Sequence, residues 1–319
     1  MTATLPVLLG GLVLFFLAIY RLSQVLRELF SGQVRDIVQR YTHNLFAGIG
    51  IGTVVTILLD SSSAVIILAI VLINARALTF RNALGIILGA NIGTTFGSQL
   101  IAWELGRYAY LPMFVGLAMM VFSKVERRRE IGHALIYFGM LFFGLYLIET
   151  AVEPLRERPQ VLEWMTQFGD RPLRGALVGG LITLLIQSSS ATVGMTLVLA
   201  KQNLISLAGG MAIMLGAELG TCSDTLLATI KGTRQAIKAG LFHFFFNLLT
   251  IIVGLVLFDP FVRFVEWLSE GRPVDNQLAN AHVLFSVCGV LIFLPWVNPA
   301  ARLLDRVLPE RPEEPVGEA

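Results

Sequence analysis

Charged residues are scarce in this 319-residue chain: 14% of positions, against 55% hydrophobic. Soluble domains carry about a quarter charged residues, so this chain has too little polar surface to face water all round, and lipid is its expected solvent. A mean hydropathy of +0.74 points the same way. A strong charge of either sign is also missing. The net charge is +2 and the basic residues are scattered between apolar runs, which argues against a nucleic-acid partner. Cysteine is nearly absent. Cys222 and Cys288 sit in apolar surroundings without metal-ligand spacing and are expected to be free, space-filling thiols. No A-x-A-like cleavage site follows the first apolar run, Leu5 to Tyr20; Arg21 and Arg27 come instead, so a retained anchor is expected. The G-x-x-x-x-G-K-[ST] phosphate loop is missing too, which excludes ATP hydrolysis by that device.

What is present is a repeat. Residues 60–64 read DSSSA and 187–191 read QSSSA; 89–95 read GANIGTT and 216–222 read GAELGTC, both pairs 127 residues apart. The same offset aligns Gly48 with Gly175, Gly52 with Gly179 and Thr56 with Thr183. Two matched motifs at one shared offset are hard to obtain by chance, whereas one serine triplet could serve only helix packing. Residues 1–127 and 128–254 are therefore read as two copies of one unit. Residues 255–300 form a loop and an extra C-terminal spanning helix, and 301–319, rich in Pro and Glu, a disordered cytoplasmic tail.

A spanning helix needs about 20 apolar residues. The runs 5–20, 109–123, 131–149, 239–258 and 280–297 come near that length. The stretches 45–73 and 172–200 are each broken by four polar residues, Asp60 to Ser63 and Gln187 to Ser190. Polar, non-helical backbone at membrane depth must be buried in protein or line a wet cavity. Both stretches are predicted to be re-entrant helical hairpins with serines at the tip. The stretches 83–106 and 207–230 are predicted to be spanning helices broken at Gly93 and Gly220. Seven crossings result, three per copy, and an odd number inverts the second copy. The expected fold is an all-α polytopic membrane protein of two inverted repeats, each with a re-entrant hairpin and a broken helix, the usual plan of a secondary transporter. With the N-terminus outside and the C-terminus cytoplasmic, the inner side collects 16 Lys and Arg residues and the outer side 8.

Inversion would bring the two tips together near the midplane. Ser61, Ser62, Ser63, Ser188, Ser189 and Ser190 offer six hydroxyls, and new half-helices begin at Ala64 and Ala191. Helix N-termini attract anions, and hydroxyls donate to them without adding charge. This is a plausible cage for a small oxyanion. Unwound carbonyls at the two glycine motifs, with Asn91, Thr94, Thr95 and Thr221, could hold a coupling cation. Asp60, Glu218 and Asp224 are carboxylates within apolar stretches, and such groups are functional candidates by default. The glycine motifs could equally be small-residue helix contacts. His243 and His282 are expected to be interhelical hydrogen-bonding residues.

The doubled Q-S-S-S motif, each copy followed by a G-A/S-N-I-G-T-T element, resembles the type II sodium–phosphate cotransporters and their bacterial relatives. Ala236 to Asn247, with His243, and Leu278 to Phe285, with Asn280 and His282, also look like elements of that family. The resemblance covers roughly residues 5–297 and implies sodium-coupled phosphate transport in a bacterial plasma (inner) membrane, with no cofactor beyond the coupling ions. It makes the six serines substrate ligands. It makes Gln187 a site residue as well. Together with the reading of the residues themselves, Asp60, Gln187, Asn91, Thr94, Thr95, Glu218 and Thr221 are expected to couple ions, with sodium at Asp60, Gln187, Thr94 and Thr221. A homodimer is compatible with it. Many bacterial members add a PhoU-like domain after the membrane part, which is expected to be absent here. Asp60 stands where the family usually has Gln, Glu218 where it has Asn, and Cys222 where it has Thr. Two like charges about 4 Å apart at an effective dielectric near 20 cost about 4 kcal/mol, so both acids must be neutralised, protonated or turned away from an anion. The departures leave another oxyanion, or a cation, as alternative cargo. A membrane-embedded hydrolase using a serine and His243 or His282, and a channel, are the competing classes.

Overall fold

In the computed structural model, residues 4–42, 44–103 and 105–309 are described, and all regular structure among them is helical. The first part comprises α1 (Thr4–Tyr41), α2 (Leu45–Leu59), α3 (Ser62–Asn74), α4 (Phe80–Ala102) and α5 (Tyr110–Phe122). Then come α6 (Glu126–Val152), α7 (Pro159–Asp170), α8 (Pro172–Ile186), α9 (Ser189–Lys201), α10 (Leu207–Gly220) and α11 (Cys222–Leu227). The chain closes with α12 (Arg234–Val256), α13 (Phe258–Leu268), α14 (Val274–Phe293) and α15 (Val297–Val307).

Among the described residues, six helical stretches are long and apolar enough to cross a membrane. The seventh expected crossing is α10 and α11 together, 14 and 6 residues separated at Thr221. Many large apolar side chains face outward, such as Phe122, Leu185 and Val256. In water such a surface would be a liability; in lipid it is the expected exterior. This is a multi-pass membrane protein.

Helix α1 runs for 38 residues, about 57 Å at 1.5 Å per residue. That exceeds a hydrocarbon core of about 30 Å. The apolar run ends at Tyr20, but no proline follows Pro6 within the helix, so it continues past Arg21 as a partly polar segment. α1 packs antiparallel on α6, with Gly11 against Gly144 and Ile148, and Gly144 against the backbone of Phe15.

The hairpins α2–α3 and α8–α9 form where the polar interruptions predicted them. Their outer helices, α2 and α8, pack on α4 and α10 respectively. The predicted break at Gly93 is not there: α4 is continuous through it. A Cβ on Gly93 would lie 2.6 Å from Thr53 O and from the Thr56 side chain. Gly93 is small to let α2 approach, not to let α4 unwind. In the second half the helix does end at Gly220, where a Cβ would also meet Thr183 at 2.6 Å.

The expected disorder from residue 301 is corrected as well. Residues 301–307 continue α15, which buries Ala301 and Leu304 against the bundle. Asp305 clamps this helix to two others, accepting from Lys238 Nζ of α12 and Arg81 Nη2 of α4, each at 2.7 Å. The remainder of the tail, 310–319, lies outside the described residues. Both thiols are free, but only Cys222 fills buried space; Cys288 is exposed on α14.

Candidate functional site

The polar tips close tightly because each places a non-glycine residue in the left-handed region. Asp60 has φ 49°, ψ 36° and Gln187 has φ 58°, ψ 34°. That conformation costs an L-residue roughly 1–2 kcal/mol, and such strain gathers at functional positions. The following residues are extended: Ser61 at φ −160° and Ser188 at φ −151°. Each then caps the next helix, Ser61 Oγ accepting from Ala64 N at 3.2 Å and Ser188 Oγ from Ala191 N at 3.1 Å. The caps leave the N–H groups of Ser62, Ser63, Ser189 and Ser190 without acceptors inside their own helices.

Both tips face one cavity of about 580 Å³. Asp60 to Ser63 line one side, Gln187 to Ser190 the other, and Thr221 and Asp224 complete the wall from the α10–α11 break. Ten of the sequence-predicted residues therefore meet in one space. Four helix-start N–H groups, the six serine hydroxyls of the tips and two carboxylates converge there, groups of the kinds that bind an anion and a cation.

Four predicted residues are elsewhere. Asn91 Nδ2 donates to Ile87 O at 2.8 Å, Thr94 Oγ1 to Ala90 O at 3.0 Å and Thr95 Oγ1 to Ile92 O at 2.8 Å. All three are buried within the continuous α4, so their hydroxyls and amide are spent on their own helix and no unwound carbonyls stand beside them. Glu218 is turned away from the cavity. Its Oε1 lies 3.0 Å from His282 Nε2 on α14, and His282 Nδ1 lies 2.7 Å from Ser98 Oγ on α4.

The order Ser98–His282–Glu218 is that of a hydrolase triad, but the surroundings are not. Ser98 sits inside α4, where backbone N–H groups are already bonded along the helix and none is left to hold an oxyanion. The trio is instead a buried clamp joining α4, α14 and α10. His243 does the equivalent elsewhere, its Nδ1 lying 2.9 Å from Thr225 Oγ1 of α11. Both histidines are interhelical hydrogen-bonding residues, as expected.

Sequence reasoning missed the contribution of α1. Tyr20, Ser23 and Arg27 line the cavity together with Phe16. Their spacings of 4, 3 and 4 put them on one helical face. The helical spacing of Tyr20, Ser23 and Arg27 was available as a signal, but the segment after Arg21 carries polar residues on other faces too, which masks it.

A multi-pass helical membrane protein whose two hairpin tips enclose a polar cavity has the form of a carrier. The Na+/Pi-cotransporter family matches the chain over residues 14–150 and 156–263, and the chain belongs to that family. It is 27% identical over 302 residues to "Uncharacterized protein YqeW" of Bacillus subtilis (strain 168), covering 94% of this chain and 97% of that protein. It is 25% identical over 312 residues to "Putative inorganic phosphate export protein YjbB" of Escherichia coli (strain K12), covering 97% of this chain but 57% of that protein. The chain thus spans little more than half the length of that relative. With the human "Sodium-dependent phosphate transport protein 2B" it shares 31% identity over 90 residues, 26% of this chain and 13% of that protein. No solved structure matches the chain.

Proposed function

We propose that this protein is a sodium-coupled secondary transporter of inorganic phosphate, working by alternating access around the cavity between the hairpin tips. One observation carries the reading: two helix N-termini with six serines converge on a single cavity that also holds two carboxylates. The serines and their N–H groups bind the anion. Asp60 and Asp224, with Gln187 and Thr221, hold the coupling sodium ions, whose positive charge offsets the repulsion between carboxylates and phosphate. The names of the matched relatives support phosphate as cargo, in one case as an exported species. The chain resides in the plasma membrane with its N-terminus outside, its two repeats are inverted, and it is compatible with a homodimer.

The test is uptake of labelled phosphate by proteoliposomes with and without an inward sodium gradient. Sodium-stimulated accumulation is expected. Accumulation that follows a proton gradient and ignores sodium would reject sodium coupling. Uptake of another oxyanion in place of phosphate would reject the cargo.

A further inference from the structure

Among the described residues the cavity is lined by two carboxylates, seven serine hydroxyls and a single cationic side chain, Arg27. The stripe from Phe16 to Arg27 carries the cavity along α1 for 11 residues, about 16 Å. Arg27 stands at the far, exposed end of that stripe, beyond the apolar run that ends at Tyr20; that end is the mouth of the proposed pathway. At the opposite end of the bundle the base of the second hairpin meets α6. There Lys201 Nζ and Gln202 Nε2 donate to the Glu149 carboxylate at 3.0 and 2.8 Å. Because α1 and α6 are antiparallel and Gly11 packs on Ile148, Arg27 lies roughly 25 Å along α1 from that contact. Arg27 Nε donates to Ser23 O at 3.0 Å, which holds the stem against its own helix. Its guanidinium makes no other hydrogen bond or ion pair among the described residues.

We propose that Arg27 is the charge-selecting residue of the site: it captures a dianionic oxyanion at the mouth and favours it over monoanions. This rests on the reading of the cavity as an anion pathway. Serine hydroxyls and helix N–H groups are neutral donors and bind one oxyanion much as another. The two carboxylates oppose a dianion more than a monoanion. With coupling sodium ions balancing the carboxylates, a fixed positive charge on the pathway tips that order toward the dianion, and a guanidinium adds a planar pair of donors suited to two oxygens of a phosphate. A cation at an aqueous mouth also raises the local anion concentration, an effect that salt weakens.

The experiment compares wild type, Arg27→Lys and Arg27→Gln in proteoliposomes at saturating sodium. It measures KM and kcat for phosphate, with competition by sulfate and by nitrate. Arg27→Gln is expected to raise the phosphate KM by about tenfold or more, the loss of one charge-assisted contact, with kcat changed less than KM. It should erase the preference of sulfate over nitrate as competitor. Arg27→Lys should recover much of both. The sodium concentration for half-maximal rate should stay put, because Arg27 holds no sodium; a residue that merely supported the fold would lower kcat and disturb sodium dependence together. An unchanged KM and an unchanged sulfate-over-nitrate order in Arg27→Gln would overturn the proposal. If the wild type carries a different oxyanion, phosphate falls as cargo, and Arg27 is judged by the same KM ratio for that anion. If purified wild type binds no anion by calorimetry, both readings fall.

Discussion

Asp60 and Gln187 occupy the same strained turn in two hairpins of the same backbone geometry, yet one is an acid and the other an amide. The difference is balanced one helix away. Asp60 Oδ1 lies against α4 at Gly97, 3.2 Å from where a Cβ there would stand. The residue 127 positions after Gly97 is Asp224, on α11, just beyond the break that ends α10. The carboxylate sits on the hairpin in one half and on the neighbouring helix in the other, and each half contributes one to the cavity. A cavity responds to the charge near it rather than to the backbone that carries the charge, so the two placements are chemically close.

The halves also differ where no charge reaches the cavity. Thr183 Oγ1 donates to Thr192 Oγ1 at 2.8 Å. In the first half Thr56 matches Thr183, but Val65 stands in place of Thr192, and the buried hydroxyl of Thr56 has no partner among the described residues. Asn91 is bonded to its own helix, whereas Glu218, the matching residue, reaches across to His282.

These contrasts can be broken in order of size. Filling the cavity from either side, by Ser62→Leu or Ser189→Leu, should cut phosphate uptake by about a hundredfold or more in both cases, as misplacement at a binding site does. If one hairpin tolerates the change, the tips do not share one site. Next, Asp60→Gln gives the first half the tip of the second and leaves the cavity a single carboxylate. The sodium concentration for half-maximal uptake should rise about tenfold, equal to about 1.4 kcal/mol. Adding Gly97→Asp, which copies the second half's arrangement, should recover part of it. An unchanged sodium curve in the single variant would sink the role given to Asp60.

Smaller effects concern stability. Glu218→Ala strands the buried His282 Nε2 and should cost about 2–3 kcal/mol, while Asn91→Ala, losing one bond within its helix, should cost about 1 kcal/mol. Thermal unfolding in detergent ranks the two, and equal shifts would contradict the clamp. Last, Thr183→Val should cost about 1 kcal/mol through the lost bond to Thr192, whereas Thr56→Val should be neutral or slightly stabilising because it removes an unpaired buried hydroxyl. A larger loss at Thr56 would reveal a partner for that hydroxyl.

Much of the site was legible in the chain. Four consecutive polar residues inside an apolar run announce a break, since lipid tolerates no exposed backbone there, and both tips formed at those residues. The glycine motif was less legible. A glycine can mark an unwound turn or a close helix contact, and the choice at Gly93 was made by α2, which is not adjacent in sequence. Glu218 was legible as a buried acid but not as the partner of His282, because the two stand 64 residues apart. Arg27 had a local signal, its helical spacing from Tyr20 and Ser23, but its meaning depended on which face of that helix met the tips. The docking of α15 depended in the same way on Arg81 and Lys238, both distant in sequence.

The sequence by itself determined that the chain lives in lipid, where its helices would be interrupted, and that the interruptions would carry hydroxyls and helix starts suited to an anion. Those are local consequences of hydropathy and backbone hydrogen bonding. Only the tertiary structure decided which polar groups share the cavity, which acids are turned away and which helix stays whole. Those outcomes depend on the partner each residue meets across the bundle, and a one-dimensional pattern does not specify that partner.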